Sequence, residues 1–137
     1  MDPEQRITFE FLTTSDQISG LARTISQEPC IAIDTESNSR HRYPERVCLM
    51  QIAANNKVYL IDTLTVDNME PLGKVMADDR VVKVLHGSDY DLRCLDREWR
   101  FQVRNLYDTS IAARFVGMNQ IGLSSLAKLL LGVNVPK

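Results

Sequence analysis

Cys30-Ile31-Ala32-Ile33-Asp34-Thr35-Glu36 is the stretch that decides how this chain is read: four apolar residues in a row, closed by two carboxylates spaced two apart. A short, nearly continuous apolar run is how a strand buried on both faces looks, so the segment is expected to be a central strand. Side chains alternate along a strand, and Asp34 and Glu36 therefore project from one face where the strand leaves the core. Two such carboxylates raise each other's pKa by repulsion. A divalent cation removes the conflict, and hard carboxylate oxygens suit Mg²⁺ or Mn²⁺. Asp-x-Glu is nevertheless a common pattern, and on its own it describes two ordinary acids at a strand end.

Working outward, residues 7–12 alternate apolar and polar as a strand does, and Ser15 stands as an N-cap ahead of Ile18, Leu21, Ala22 and Ile25 at helical spacing. Downstream, residues 47–53 and 57–63 are rich in strand formers and flank Asn55-Asn56, a pair suited to a tight hairpin. With the Cys30 segment these make an antiparallel meander. The pattern then switches. A helix carrying Leu72, Val75 and Met76 is followed by a strand at 81–85 and a helix carrying Leu92, Leu95 and Trp99. A strand at 104–107 comes next, then a helix capped by Asp108 and an apolar helix over 123–131 closed by Gly132. A meander continued by helix-connected strands predicts an α/β fold built on a mixed sheet with helices on both faces.

The second strand-to-helix junction, Val84-Leu85-His86-Gly87-Ser88-Asp89-Tyr90-Asp91-Leu92, puts two further acids in the first turn of a helix. Negative charge is favoured there by the helix dipole, so capping by Ser88 and its neighbours accounts for them without any site. Asp89 and Asp91 flank the Leu92, Leu95, Trp99 stripe at similar angles on opposite sides. Periodicity leaves both as candidate ligands.

Composition bounds the rest. The chain has 137 residues, 44% hydrophobic and 25% charged, which suits one domain over residues 1–137. A formal net charge of -2 gives no overall basic footprint, so contact with nucleic acid has to come from a local patch. Such a patch is present in the loop 37–46, where Arg40, His41, Arg42, Tyr43 and Arg46 follow directly on the acidic pair, diluted by Glu45. His86 ends an apolar strand and is a candidate nucleotide contact or a locally hydrogen-bonded histidine. Leu123, Leu126 and Leu130 form a stripe expected to face the core. Chain end shortly after it would leave surface uncovered and favour self-association. Three cysteines with no Cys-x-x-Cys pair read as reduced thiols in a cytoplasmic compartment. No apolar run reaches the ~20 residues of a membrane helix, and Met1-Asp2-Pro3-Glu4 is unlike a secretory signal.

From about residue 30 to 133 these segments resemble the RNase D-like members of the DEDD 3′→5′ exonucleases, whose fold is RNase H-like. The resemblance rests on Ile33-Asp34-Thr35-Glu36, Cys48-Leu49-Met50-Gln51-Ile52, Tyr59-Leu60-Ile61-Asp62-Thr63, Lys83-Val84-Leu85-His86-Gly87, Asp91-Leu92 and Asn105-Leu106-Tyr107-Asp108-Thr109 with Ala112-Ala113-Arg114. It implies that Asp34 and Glu36 are the first exonuclease motif and that Asp91, rather than Asp89, is the second. It further implies a two-metal site of Mg²⁺ or Mn²⁺, with Asp34 bridging the ions, Glu36 on the one that activates water and Asp91 supporting the other. Thr35, Arg40, Arg42 and His86 are the expected nucleic-acid contacts. The implied substrate is a single-stranded 3′ end, RNA above all, since an unpaired terminal nucleotide enters such a site without duplex melting.

One part of the family pattern is missing. A third motif, a Tyr four residues before a final Asp, has no counterpart: Tyr43, Tyr59, Tyr90 and Tyr107 are followed at that distance by Val47, Thr63, Cys94 and Ile111. Residues 1–137 are therefore expected to be an exonuclease domain incomplete at its C-terminus and poorly active. The alternative is a non-catalytic nucleic-acid-binding or protein-interaction module on the same fold.

Overall fold

Asn55 and Asn56 both take the left-handed conformation, with φ of 46° and 61°, which is the geometry of a two-residue hairpin turn and one that asparagine tolerates. The computed structural model describes residues 8–38 and 45–135. In chain order its elements are β1 (Thr8–Leu12), α1 (Ser15–Ile25), β2 (Cys30–Ser37), β3 (Val47–Ala54) and β4 (Lys57–Asp62). There follow α2 (Glu70–Met76), β5 (Val82–Leu85), α3 (Asp89–Trp99), β6 (Leu106–Asp108), α4 (Thr109–Phe115) and α5 (Leu123–Leu126), the last running on into a π-helical turn, Ala127–Leu131.

Among the described residues six strands join one sheet in the order β1-β4-β3-β2-β5-β6. β2, β3 and β4 are the antiparallel meander; β5 and β6 add in parallel beyond β2, and β1 adds in parallel to β4 at the far edge. The mixed α/β sheet expected from the sequence is thus the one observed. Among the described residues no helix is long and apolar enough to cross a membrane.

Pleat alternation sends Ile31, Ile33, Met50, Ile52 and Ile61 to one face, where they meet Ile18, Leu21 and Ile25 of α1, Leu72 and Met76 of α2 and Leu95 of α3. Burying apolar surface of this kind is worth about 25 cal/mol per Å², and it fixes the register, because a slip by one residue would turn the whole set outward. β2 differs from the expected doubly buried strand. Ile31, Ile33 and Thr35 are buried, whereas Cys30, Ala32, Asp34 and Glu36 are exposed. Small side chains such as Cys30 and Ala32 extend an apolar run without marking which face is covered, and that is why the run misleads. On this second face, among the described residues, α5 approaches through Leu123, which lines a depression with Ala32 and Ala53.

Two local details also differ from expectation. The N-cap of α1 is Thr14, which accepts from the Gln17 amide at 3.3 Å while Gln17 accepts in return from the Thr14 amide at 3.1 Å. This reciprocal box satisfies two orphan amides at once, leaving Ser15 as the first helical residue. In the Leu123, Leu126, Leu130 stripe only Leu126 is buried; Leu123 and Leu130 are exposed along with Leu129 and Leu131.

Candidate active site

Asp34 and Glu36 emerge side by side on the open face of β2, as the alternation required. Gln51, the register partner of Asp34 on β3, donates from Nε2 to Asp34 Oδ2 at 3.3 Å. Although solvent reaches Asp34, the walls around it withdraw enough water to raise its pKa. The negative charges of Asp91 and then Glu36 push it up further, against a lowering hydrogen bond from the Thr35 backbone. Two neighbouring carboxylates therefore act on Asp34.

Thr35 points the other way. Its side chain is buried, and its hydroxyl donates to Asp91 Oδ1 at 2.6 Å. The residue between the two acids of β2 thus fastens the third acid to the same strand from beneath. This arrangement also separates the two candidates of the second junction: Asp91 is buried, while the Asp89 side chain is exposed and pairs with Arg93 at 2.6 Å. The resemblance implies Thr35 as a nucleic-acid contact. Its side chain is instead on the inward face, because alternation that brings Asp34 and Glu36 together necessarily turns the residue between them away.

His86 lies at the end of β5 and, with Asp34, Gln51, Ala32 and Ala53, lines the depression of about 380 Å³. Its Nδ1 is 2.8 Å from Thr109 Oγ1, and that hydroxyl donates to the Leu85 carbonyl at 3.2 Å. The Thr109 hydroxyl thus anchors the His86 ring through Nδ1, which leaves Nε2 as the ring nitrogen free to meet a ligand. Arg40 and Arg42 fall in residues 39–44, outside the described residues. The flanks of that loop are tied down: Asn38 donates its amide to the Arg46 carbonyl at 3.0 Å, and Arg46 returns an amide to Asn38 Oδ1 at 2.8 Å. Glu45 accepts from the Tyr90 hydroxyl and pairs with Arg97 of α3.

Carboxylate oxygens are hard ligands, and repulsion of the kind Asp34 experiences is what a divalent cation relieves, so Asp34 and Glu36 are the side chains that could hold one. Among the described residues, however, no three of His, Cys, Asp and Glu stand close enough to share an ion. Two further residues join the site only through the fold, Gln51 by its register with Asp34 and Thr109 by its contact with His86. Asp108 caps α4 as expected, accepting from the Ser110 and Ile111 amides.

A family model described as 3′-5′ exonuclease matches residues 9–137. Among curated proteins the chain is 34% identical over 125 residues to the exosome complex component 10 homolog of Drosophila melanogaster, covering 90% of this chain and 14% of that protein. It is 32% identical over 128 residues to ribonuclease D of Gluconacetobacter diazotrophicus, covering 92% of this chain and 33% of the relative. Among solved structures, the catalytic core of RRP6 from Trypanosoma brucei superposes with a TM-score of 0.91 at 28% identity, over 99% of this chain and 38% of that one. Escherichia coli RNase D, an exoribonuclease involved in structured RNA processing, superposes with a TM-score of 0.88 at 28% identity, over 95% and 35%. The chain spans a third or less of the length of these two curated relatives.

Proposed function

Because this chain belongs to the 3′→5′ exonuclease family, we propose that it carries the first two acidic motifs of a 3′→5′ exoribonuclease and acts on the terminal phosphodiester of single-stranded RNA. The observation that carries this reading is Asp34, raised in pKa by its surroundings and by the charges of Asp91 and Glu36, on an open sheet face beside His86. Folding has gathered acids that repel one another where solvent and substrate can reach them.

In this reading Asp34 and Glu36 hold Mg²⁺ or Mn²⁺ and Asp91 supports the pair. When bound, two such ions supply the positive charge that activates water and steadies the leaving oxygen. Gln51 orients the Asp34 carboxylate from the neighbouring strand, and Thr35 does the same for Asp91 from the inward face. His86 offers Nε2 to the terminal nucleotide, while Arg40 and Arg42 contact phosphates. The lack of any Tyr-x-x-x-Asp in residues 1–137 supports a domain short of the third motif's Tyr and Asp, hence poorly active alone. Free Cys30, Cys48 and Cys94 accord with a reducing, cytoplasmic compartment. Exposed Leu129 and Leu130 favour self-association at high concentration, to be read by sedimentation.

The test uses single-stranded RNA labelled at its 5′ end, offered with Mg²⁺ or Mn²⁺ to this chain and to a chimera extended by the segment that follows in Escherichia coli RNase D. Stepwise shortening by the chimera, lost in Asp34→Asn, is the expected result. The absence of a three-ligand cluster among the described residues favours a second reading, a non-catalytic RNA-binding module. Metal-independent RNA binding by a chimera that never cleaves, unaffected by Asp34→Asn, would establish that reading instead.

A further inference from the structure

A helix cap needs one carboxylate oxygen, and Asp108 uses Oδ1 for it, accepting from the Ser110 amide at 2.8 Å and the Ile111 amide at 3.2 Å at the start of α4. Its remaining bonds go elsewhere. Oδ2 accepts from the Ser88 amide at 2.7 Å and the Ser88 hydroxyl at 2.8 Å, and Oδ1 also receives the Gly87 amide at 3.1 Å. Gly87 has φ of 65°, so the chain turns sharply there and the two successive amides converge on one anion. In many proteins such a nest takes a ligand; here a carboxylate from 20 residues further along fills it.

The junction so held is the start of α3. Ser88 makes no side-chain cap bond of its own to the helix, but its carbonyl accepts the Leu92 amide at 2.9 Å, the bond that closes the turn containing Asp91. Beside it, Thr109 bonds His86, so two consecutive residues, Asp108 and Thr109, pin His86, Gly87 and Ser88 together. Asp91 is thereby fixed from two sides, its carboxylate by the Thr35 hydroxyl and its backbone by the junction that Asp108 grips.

We propose that Asp108 is a positioning residue for Asp91: by joining the start of α3 to the start of α4, it sets where Asp91 stands relative to Asp34 and Glu36. The proposal rests on the exonuclease reading for its consequence in metal binding, but not for the positioning itself. Partners bonded directly to a metal ligand change metal affinity by about 10–100-fold when removed; Asp108 reaches Asp91 through the backbone of the junction, so its effect is expected at the low end of that range. An amide at this position keeps the size of the side chain while setting an NH₂ against donors that need an acceptor.

The experiment compares the wild-type chain with Asp108→Asn, Ser88→Ala and Thr63→Val. Thr63 donates a buried hydrogen bond to the Val47 carbonyl at 2.7 Å, so its loss lowers stability away from this junction. Two quantities are read: the ¹³Cγ shift of Asp91 without metal, and Mn²⁺ affinity by water-proton relaxation. Asp108→Asn is expected to move the Asp91 resonance and weaken Mn²⁺ roughly tenfold. Ser88→Ala, which keeps the cap and both amide bonds, is expected to do the same to a lesser degree, and it decides the matter if Asp108→Asn does not fold. Thr63→Val is expected to lower Tm with neither change. An unmoved Asp91 resonance in both junction variants, with only Tm reduced, would make Asp108 a cap and nothing more. If wild-type chain holds no Mn²⁺ while the Asp91 resonance moves as expected, the metal reading fails and the positioning role stands.

Discussion

Asp34 and Asp108 are the same side chain on two strands of one sheet, and their surroundings are opposites. Around Asp34 the environment opposes ionisation: water is partly withdrawn, Asp91 and Glu36 repel it, and a backbone amide and Gln51 answer only in part. Around Asp108 burial also works against the charge, but hydrogen bonds from the Ser88 amide and hydroxyl, Gly87 and Ile111 outweigh it and hold the pKa well below the usual carboxylate range. The difference separates an acid that folding leaves short of partners, and so able to take a ligand, from one whose charge is consumed by architecture. Residue type alone does not distinguish them; the donors do.

The largest effect should therefore fall on activity at Asp34. In the chimera, Asp34→Asn is expected to reduce RNA shortening by roughly 10³-fold or more, measured as initial rate on 5′-labelled RNA. The same change should raise Tm at pH 7, because an amide relieves the repulsion. Asp108→Asn should show the reverse weighting in this chain: a loss of about 2–4 kcal/mol in urea unfolding, since buried donors are left facing an amide. A Tm that falls as far in Asp34→Asn as in Asp108→Asn would erase the comparison.

The middle of the scale belongs to Thr35, which was also the least legible residue of the site. Period-two alternation is a local rule, so the shared face of Asp34 and Glu36 could be read directly from the sequence, as could the Asn55-Asn56 turn and the switch from meander to strand-helix alternation. Helical periodicity could not separate Asp89 from Asp91, because what separates them is a hydroxyl 56 residues away in β2. The double grip of Asp108 was hidden for the same reason. Its second set of donors lies just past the end of the neighbouring strand β5, at Gly87 and Ser88, and the sequence offers only a serviceable cap for α4. The exposure of Cys30 and Ala32 depends on what covers the sheet, which no local pattern reports. Thr35→Val keeps shape and removes the hydroxyl, and is expected to cost about 1–2 kcal/mol in urea unfolding while moving the Asp91 ¹³Cγ shift. An unmoved Asp91 would mean that its carboxylate is placed by α3 alone.

Acid titration gives the smallest effect and the one whose sign is most informative. The Asp108 pKa is lower in the folded chain than its ordinary value of 3.8, so the unfolded chain takes up this proton first. Its stabilisation is complete above about pH 5 and drains away as pH falls through the unfolded value toward the depressed folded one. Asp34 runs the other way. Its folded pKa lies above 3.8, the folded chain binds the proton first, and stability gained from this residue grows as pH falls through that raised value. Urea unfolding at pH 7, 5 and 3.5 should therefore show the advantage of Asp34→Asn over wild type shrinking on acidification, because protonation gives wild type the relief that the amide has throughout. The deficit of Asp108→Asn should also shrink, but at lower pH, as wild type loses a charge the variant never had. The two variants approach wild type from opposite sides, Asp34→Asn from above and Asp108→Asn from below. A deficit at pH 7 for Asp34→Asn that closes in acid would mean that its carboxylate stabilises the fold as Asp108 does, and that the repulsion around it is already relieved within the chain.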